Sequence, residues 1–148
     1  MNATQKQRVI DIIGQTDDMT LATVRPDGFP QATTVSYVND GLIVYFGTTN
    51  DAQKAQNIGT CDKVSLTINR PYSSWDEIVG VSLGGLARQV TDQAEFDKVA
   101  GLMFAKFPQM SGYEGVVPGE LIIFRIDPVA ISLLDYTKGF GHIENLTP

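Results

Sequence analysis

The sequence is poor in the residues that build metal sites, nucleophilic centres and disulfides. Its 148 residues include one cysteine, Cys61, and one histidine, His142. A Cys/His zinc site needs several such ligands, and a cysteine nucleophile needs a histidine base with an orienting third group. We therefore exclude both kinds of site. We also expect a fold that needs no disulfide, because a chain of this size buries roughly two-thirds of its unfolded surface.

Basic residues and long apolar runs are also scarce. The chain has 11 Lys and Arg against 17 Asp and Glu, a net charge of -6, which argues against electrostatic binding to nucleic acid or anionic lipid. No apolar stretch approaches the roughly 20 residues that span a bilayer, and residues 1–8 lack the apolar segment of a secretory signal. These absences predict a soluble, cytoplasmic protein.

The remaining composition, 43% hydrophobic and 19% charged, is typical of one globular domain. No repeat or linker divides residues 1–148. Apolar residues at helical spacing predict helices over Thr4–Gly14 and from Asp92 to Pro108. A short helix is predicted over Asn50–Ile58, with Asn50 as its N-cap and Gln53 completing a capping box.

The rest of the chain alternates β-rich segments with turns, which predicts six or seven antiparallel strands. The first three should form a meander, with the second strand at its centre. Gly84-Gly85 predicts a bulge, and Asp127-Pro128 should separate the last two strands. The pattern indicates an α+β barrel with two or three helices. The predicted strands are Met19–Val24, Phe29–Val38, Leu42–Phe46, Lys63–Asn69, Ile78–Thr91, Glu120–Ile126 and Val129–Asp135.

One segment has the features of a phosphate site. A buried strand delivers Thr48 and Thr49 to a helix start, with Lys54 in its first turn. The positive end of a helix dipole and its unpaired N–H groups suit a phosphate. The residues alone leave two interpretations open, since Lys54 could equally be a solvated side chain on a surface helix. Asp51 would compete for the same dipole.

Several segments resemble the FMN-binding split-barrel family related to pyridoxamine 5′-phosphate oxidase. They are LATVRPDGFPQATTVSYV, GLIVYFGTTNDAQKAQNI and KVSLTI between Leu21 and Ile68, then SLGGLARQVTD and ISLLDYTKGFGH. The likeness lies in their order and spacing and covers most of the chain. It implies a six-stranded antiparallel split β-barrel that forms a homodimer, with FMN in clefts between the subunits.

The resemblance also implies which residues hold the cofactor. Thr33 and Gln53 fall where many members of the family carry arginine, so Lys54 would be the main cation at the phosphate. The residues implied at the phosphate are Thr33, Thr34, Val35 and Ser36 of the second strand, Thr48 and Thr49 of the third, and Gln53 and Lys54 of the helix.

A second group of candidates lies near the end of the chain and in one loop. Trp75 is a candidate for stacking on the flavin ring, with packing in a core or interface as the alternative. Tyr136 and Lys138 occupy a tail that approaches the flavin of the neighbouring subunit in the family. His142 is a candidate proton donor or an exposed tail residue.

These observations predict an FMN-dependent oxidoreductase acting on a small molecule, in which the cofactor performs the chemistry. No catalytic side chain is identified. The C-terminal tryptophan and arginine that serve the vitamin substrate in true pyridoxamine-phosphate oxidases are absent, so that activity is not expected. The alternatives are a deazaflavin-dependent reductase and a non-catalytic flavin- or haem-binding protein.

Overall fold

The computed structural model describes residues 1–113 and 120–148. Within them, one curled antiparallel sheet of eight strands is accompanied by three helices, so the α+β split-barrel prediction is confirmed, with more strands than predicted. The helices are α1 (Ala3–Gly14), α2 (Gln53–Thr60) and α3 (Gln93–Lys106). The strands are β1 (Asp18–Val24), β2 (Pro30–Ser36), β3 (Val38–Asp40), β4 (Ile43–Thr49), β5 (Lys63–Asn69), β6 (Val79–Gln89), β7 (Leu121–Asp135) and β8 (Ile143–Leu146). No helix in the described ranges is long and apolar enough to cross a membrane.

The strands are ordered β2-β1-β5-β6-β7-β4-β3, and β8 pairs with β7. Alternation along each strand sends one set of side chains into the curl and the other set outwards. The inner set is apolar, and the buried face of α1 packs among it. That inner core includes Leu21, Leu66, Leu83 and Ile131 of the sheet, with Val9, Ile12 and Ile13 of α1.

The outer face of the sheet carries small residues along two rows that run across the strands. All of them are exposed or half-exposed, so none of the described helices covers this surface. One row is Thr34, Thr20, Thr67, Ser82, Ser132 and Asn145, and the next is Ala32, Ala22, Ser65, Gly84 and Ala130. We call these two rows the small-residue face.

The predicted meander is wrong, because β2 is an edge strand. β2 pairs with β1, whereas β4 pairs with β3 and β7. The predicted strand Phe29–Val38 breaks at Tyr37, which is 1% exposed and donates its hydroxyl to the carbonyl of Ile13 at 2.6 Å. The strand is interrupted at this buried tyrosine, and the two edges of the sheet, β2 and β3, do not pair, which leaves the barrel split between them.

The predicted break at Asp127-Pro128 is also wrong, since β7 runs through it. Gly84 pairs with Ala130 and Gly85 with Pro128, so Val129 is the extra residue of a bulge. Proline is tolerated at such a bulge, where the ladder is already disrupted. The predicted irregularity at Gly84-Gly85 is confirmed, and a Cβ on Gly85 would lie 2.7 Å from the carbonyl oxygen of Asp127.

Both long helices begin within one residue of the predicted positions. Asp92 caps α3 by accepting from the N–H of Glu95 at 2.9 Å. α1 has a capping box between Asn2 and Gln5 that the sequence interpretation missed. The short strand β8 was missed as well.

Candidate functional site

The start of α2 differs from the capped helix that the sequence predicted. Its N-cap is Ala52, which has no side chain able to accept a hydrogen bond, and no side-chain cap is present. Asn50, the predicted cap, accepts from the N–H of Glu120 at 3.4 Å and donates its own N–H to the Glu120 carbonyl at 3.0 Å. The side chain of Asn50 thus fastens the end of β4 to the start of β7, and the first N–H groups of α2 are left without a cap.

Lys54 lies in the first turn of this uncapped helix. Its side chain is half-buried, and it forms no ion pair with any residue in the described ranges. Asp51 is exposed beside it. We call the connection between the end of β4 and the first turn of α2 the junction. The junction offers an anion one lysine and free backbone N–H groups, and the Asp51 carboxylate lies beside them.

A buried amide network holds α2 against the barrel. Asn57 is fully buried and donates to the Thr23 hydroxyl at 2.9 Å and to the Gln31 side chain at 3.1 Å. The Gln53 amide nitrogen donates to Asn57 Oδ1 at 2.8 Å. Gln53, which was predicted to contact the phosphate, therefore commits its amide donor group to the protein itself.

Strand alternation separates the other predicted phosphate residues into two groups. On β2, Thr33 and Val35 are half-buried, whereas Thr34 and Ser36 are exposed on the opposite face. Ser36 donates to Asp18 at 2.9 Å. On β4, Thr48 follows Phe46 towards the inner core, while Thr49 lies on the other side. β2 and β4 approach each other at the split without pairing.

The candidates near the C terminus gather in an aromatic cluster at the other end of β7. The ring centroids of Trp75 and Phe140 are 5.8 Å apart, and those of Tyr136 and Phe140 are 5.4 Å apart. Trp75 is 67% exposed and Phe140 is 73% exposed. Trp75 is therefore not a core residue, and we call Trp75, Tyr136 and Phe140 the aromatic platform.

Charged side chains contact one another in residues 138–144, beside the aromatic platform. The Oε2 atom of Glu144 lies 3.3 Å from the Lys138 ammonium and 3.5 Å from His142 Nε2. The other carboxylate oxygen accepts a hydrogen bond from the Gln5 side chain of α1 at 3.4 Å. The Gln5 hydrogen bond, followed by that of Lys138, holds the pKa of Glu144 below its usual value. Lys138 and His142 thus contact a carboxylate of their own segment, and Gln5 connects that carboxylate to α1.

Within a single chain, the start of α2 and the aromatic platform lie at opposite ends of β7. Thr49 pairs with Leu121 at the start of β7, whereas Tyr136 directly follows Asp135 at its end. The strand between them corresponds to about 45 Å of extended chain before curvature. The predicted site residues therefore form two separate groups, one at the start of α2 and one at the aromatic platform.

Sequence reasoning missed two parts of this arrangement. Phe140 stands between Gly139 and Gly141, whose φ angles are 139° and 80°, so the turn projects a phenylalanine into solvent. An isolated aromatic residue between two glycines was the available signal. The Asn57 network gave no signal, because its partners lie far apart in sequence.

Comparisons with known proteins agree with the fold and the order of the segments. The family model described as pyridoxamine 5′-phosphate oxidase matches residues 6–135. General stress protein 26 of Bacillus subtilis (strain 168) is 25% identical over 131 residues, which cover 88% of each chain.

Two solved structures show the same fold. A haem-binding protein from Mycobacterium smegmatis superposes with a TM-score of 0.80 at 19% identity over 99% of this chain, which spans 58% of that longer protein. An F420 reductase superposes with a TM-score of 0.60 at 24% identity, covering 82% of this chain and 94% of the other. With the family match extending over most of the chain, the protein belongs to the pyridoxamine 5′-phosphate oxidase family.

Proposed function

We propose that this protein is an FMN-dependent oxidoreductase that acts on a small molecule as a homodimer. The observation that carries the proposal is the start of α2, where Ala52 leaves the helix uncapped and Lys54 stands in the first turn. Alanine at an N-cap costs about 1 kcal/mol relative to serine, threonine, asparagine or aspartate. A bound phosphate would occupy the place of the missing cap.

The residues at this junction fit a phosphate. Backbone N–H groups of Gln53 and Lys54 would donate to its oxygens, and the Lys54 ammonium would supply charge. The hydroxyl of Thr48, on the inner side of β4, is an additional donor. The Gln53 side chain donates to Asn57 and so helps to orient the helix. Gln53 would contact the phosphate through its backbone N–H.

A second copy of the chain would bring an aromatic surface to the ring of the cofactor. Most of the exposed large hydrophobic side chains lie at the two ends of the sheet, beside the small-residue face. At one end are Val24, Phe29, Leu86 and Val129, and at the other are Tyr72, Trp75, Phe140 and Ile143. Small uncharged residues between apolar ends suit close contact with an identical face.

A twofold axis through the small-residue face would reverse the ends of the two copies. The aromatic platform of one subunit would then lie towards the α2 end of its partner, because α2 contacts β1 and β2 at Thr23 and Gln31, close to Val24. This arrangement would place the start of α2 of one subunit next to the aromatic platform of the other. We infer that the homodimer is the binding unit.

FMN, when bound, supplies the electron or hydride chemistry. The chain's own residues hold the phosphate at α2, and the platform of Trp75 and Phe140 offers exposed faces on which a planar ring can stack. The protein's contribution is therefore binding and orientation of the cofactor.

The named relatives favour two alternatives. The F420 reductase suggests a deazaflavin, and the M. smegmatis protein suggests haem. In this chain His142 is the sole histidine, and its Nε2 lies 3.5 Å from Glu144. A haem iron ligated by His142 Nε2 would have to displace that contact, so FMN remains our proposal.

Absorption spectroscopy of the purified protein and a binding titration test the proposal together. A flavin spectrum, with FMN bound at least about tenfold more tightly than riboflavin, is expected because the site is organised around a phosphate. Equal affinities for FMN and riboflavin would contradict the phosphate site. A Soret band with no flavin would favour the haem-binding alternative.

A further inference from the structure

A cavity of about 260 Å³ lies between α3 and the sheet, on the side of β4 opposite the inner core. Its wall is mainly apolar and includes Tyr37, Met103, Phe107, Met110 and Leu121. The cavity is partly open to solvent, and for comparison a closed engineered cavity of about 150 Å³ binds benzene. This cavity is therefore large enough for a compound of one or two rings.

The polar groups of the lining are neutral. Ser36 and Gln109 contribute a hydroxyl and an amide, and no charged side chain is among the lining residues in the described part of the chain. The Lys106 ammonium lies against the Tyr37 and Phe107 rings but already donates to two backbone carbonyls. A charged ligand would therefore lose its hydration here for at most a shared ion pair. The chemistry of the wall favours a neutral molecule with at most a few hydrogen-bonding groups.

Gly47 keeps the cavity open from the β4 side. A Cβ at this position would lie 3.4 Å from Leu121 Cδ1 and 3.6 Å from Met103 Cε. The methyl group of an alanine would therefore contact both side chains, and a larger side chain would occupy part of the cavity. The two methionines are flexible, polarisable side chains that adapt to the shape of a ligand.

Polar contacts at both ends of α3 hold this wall in place. Glu95 accepts from Arg125 at 2.7 Å and from the Tyr45 hydroxyl at 2.9 Å near the start of the helix. At its end, the Lys106 ammonium donates to the carbonyls of Thr16 at 2.7 Å and Tyr37 at 3.0 Å. The cavity is thus bounded by an anchored helix, which limits the cost of organising it for a ligand.

We propose that this cavity binds a neutral, largely apolar compound of one or two rings. Ser36, one of the residues predicted at the cofactor, lines the cavity directly, whereas Gly47 lines it on the face of β4 opposite Thr48. The assignment of this cavity as the substrate pocket rests on the proposed function. The proposal that the cavity binds a neutral ring compound is independent of the proposed function. The cavity thereby narrows the substrate class from any small molecule to neutral ring compounds.

Methionine methyl groups provide a direct test in the protein without added FMN. The chain has four methionines, of which Met103 and Met110 line the cavity, while Met19 lies in the inner core and Met1 packs against it. With ¹³C-methyl-methionine labelling, indole should shift the signals of Met103 and Met110 and leave those of Met1 and Met19 in place. Indole-3-carboxylate, with the same ring and a negative charge, should bind at least about tenfold more weakly.

Two substitutions complete the test. Gly47→Val should weaken indole binding at least about tenfold by filling the cavity, while Gly47→Ala should have an intermediate effect. The control Gly101→Ala, at an exposed site on α3 with no atom near its new methyl group, should bind indole as the wild type does. A thermal melt of each variant verifies that it is folded.

Equal shifts at all four methionines, equal affinity for the two indoles, or full binding by folded Gly47→Val would overturn the proposal. If folding of Gly47→Val fails, the comparison of the two indoles on the wild type still decides. FMN titration is run separately. A protein that binds FMN but no indole refutes the cavity alone, and one that binds indole but no cofactor supports the cavity and contradicts the proposed function.

Discussion

Gln53 donates its side-chain amide to Asn57 Oδ1 at 2.8 Å, across one turn of α2. Asn57 in turn donates to Thr23 of β1 and Gln31 of β2. The helix whose first turn we propose as the phosphate site is therefore positioned by a buried amide, together with the packing of Ala55 and Ile58 in the inner core. Its orientation depends on the same contacts that stabilise the fold.

Replacing Asn57 by alanine should destabilise the protein by about 2 to 4 kcal/mol, because buried Thr23 and half-buried Gln31 and Gln53 each lose a hydrogen bond. Urea unfolding measures this change. The matched control is Gln56→Ala, at the exposed neighbouring position of α2, which should alter the free energy of unfolding by no more than about 0.5 kcal/mol. Similar values for the two variants would show that the network contributes little.

Tyr37 should make the protein lose stability in alkaline solution. Burial, which outweighs the hydrogen bond with Thr16, raises the pKa of Tyr37 from 10.0 to about 12. Between these values the unfolded chain releases the proton while the folded protein keeps it, so stability falls as the pH rises. The loss through this interval should be about 2 to 3 kcal/mol.

Tyr37→Phe removes this titration and isolates it from the other alkaline groups. The variant should be less stable at neutral pH, because the bond to the Ile13 carbonyl is lost. Its unfolding free energy should fall less steeply than that of the wild type above pH 10.0. Parallel curves for the two proteins would mean that Tyr37 does not titrate in this range.

A charge on the small-residue face should prevent dimerisation. Ser65→Arg places a long cation at the middle of that face, where the proposed dimer would bury it without a partner. Light scattering should report a dimer for the wild type and a monomer for the variant, with FMN affinity reduced alongside. Ala105→Arg, on the exposed side of α3, should remain dimeric. A monomeric wild type with FMN bound would refute the proposed binding unit.

Local patterns predicted most of the elements. Helical spacing located α1 and α3, and Asp92, predicted as the start of α3, is its N-cap. The glycine pair Gly84-Gly85 predicted the irregularity between β6 and β7, and the structure shows that a side chain at Gly85 would meet the backbone of β7. These features depend on residues that are close in sequence or on backbone geometry alone.

Features set by distant contacts could not be predicted in the same way. The break at Tyr37 depends on the carbonyl of Ile13, and the diversion of Asn50 from capping depends on Glu120. The division of the predicted site residues between two ends of β7 likewise follows from strand order, which the sequence does not state. The resemblance to a family identified the segments, but the contacts that separate them required the structure.

Lys54→Ala should weaken FMN binding by about ten- to a hundredfold, since a hydrogen bond to a charged group contributes roughly 1.5 to 3 kcal/mol. The effect should be large here because Thr33 and Gln53 supply no charge and Lys54 is the lysine of the first turn. Stability should stay within about 0.5 kcal/mol of the wild type, because Lys54 forms no ion pair in the described ranges. Lys6→Ala, on the exposed face of α1, is the control and should bind FMN normally. Isothermal titration at two salt concentrations should also show weaker wild-type binding at higher salt and a smaller salt effect in Lys54→Ala. Indistinguishable affinities for wild type and Lys54→Ala would remove this lysine from the phosphate site.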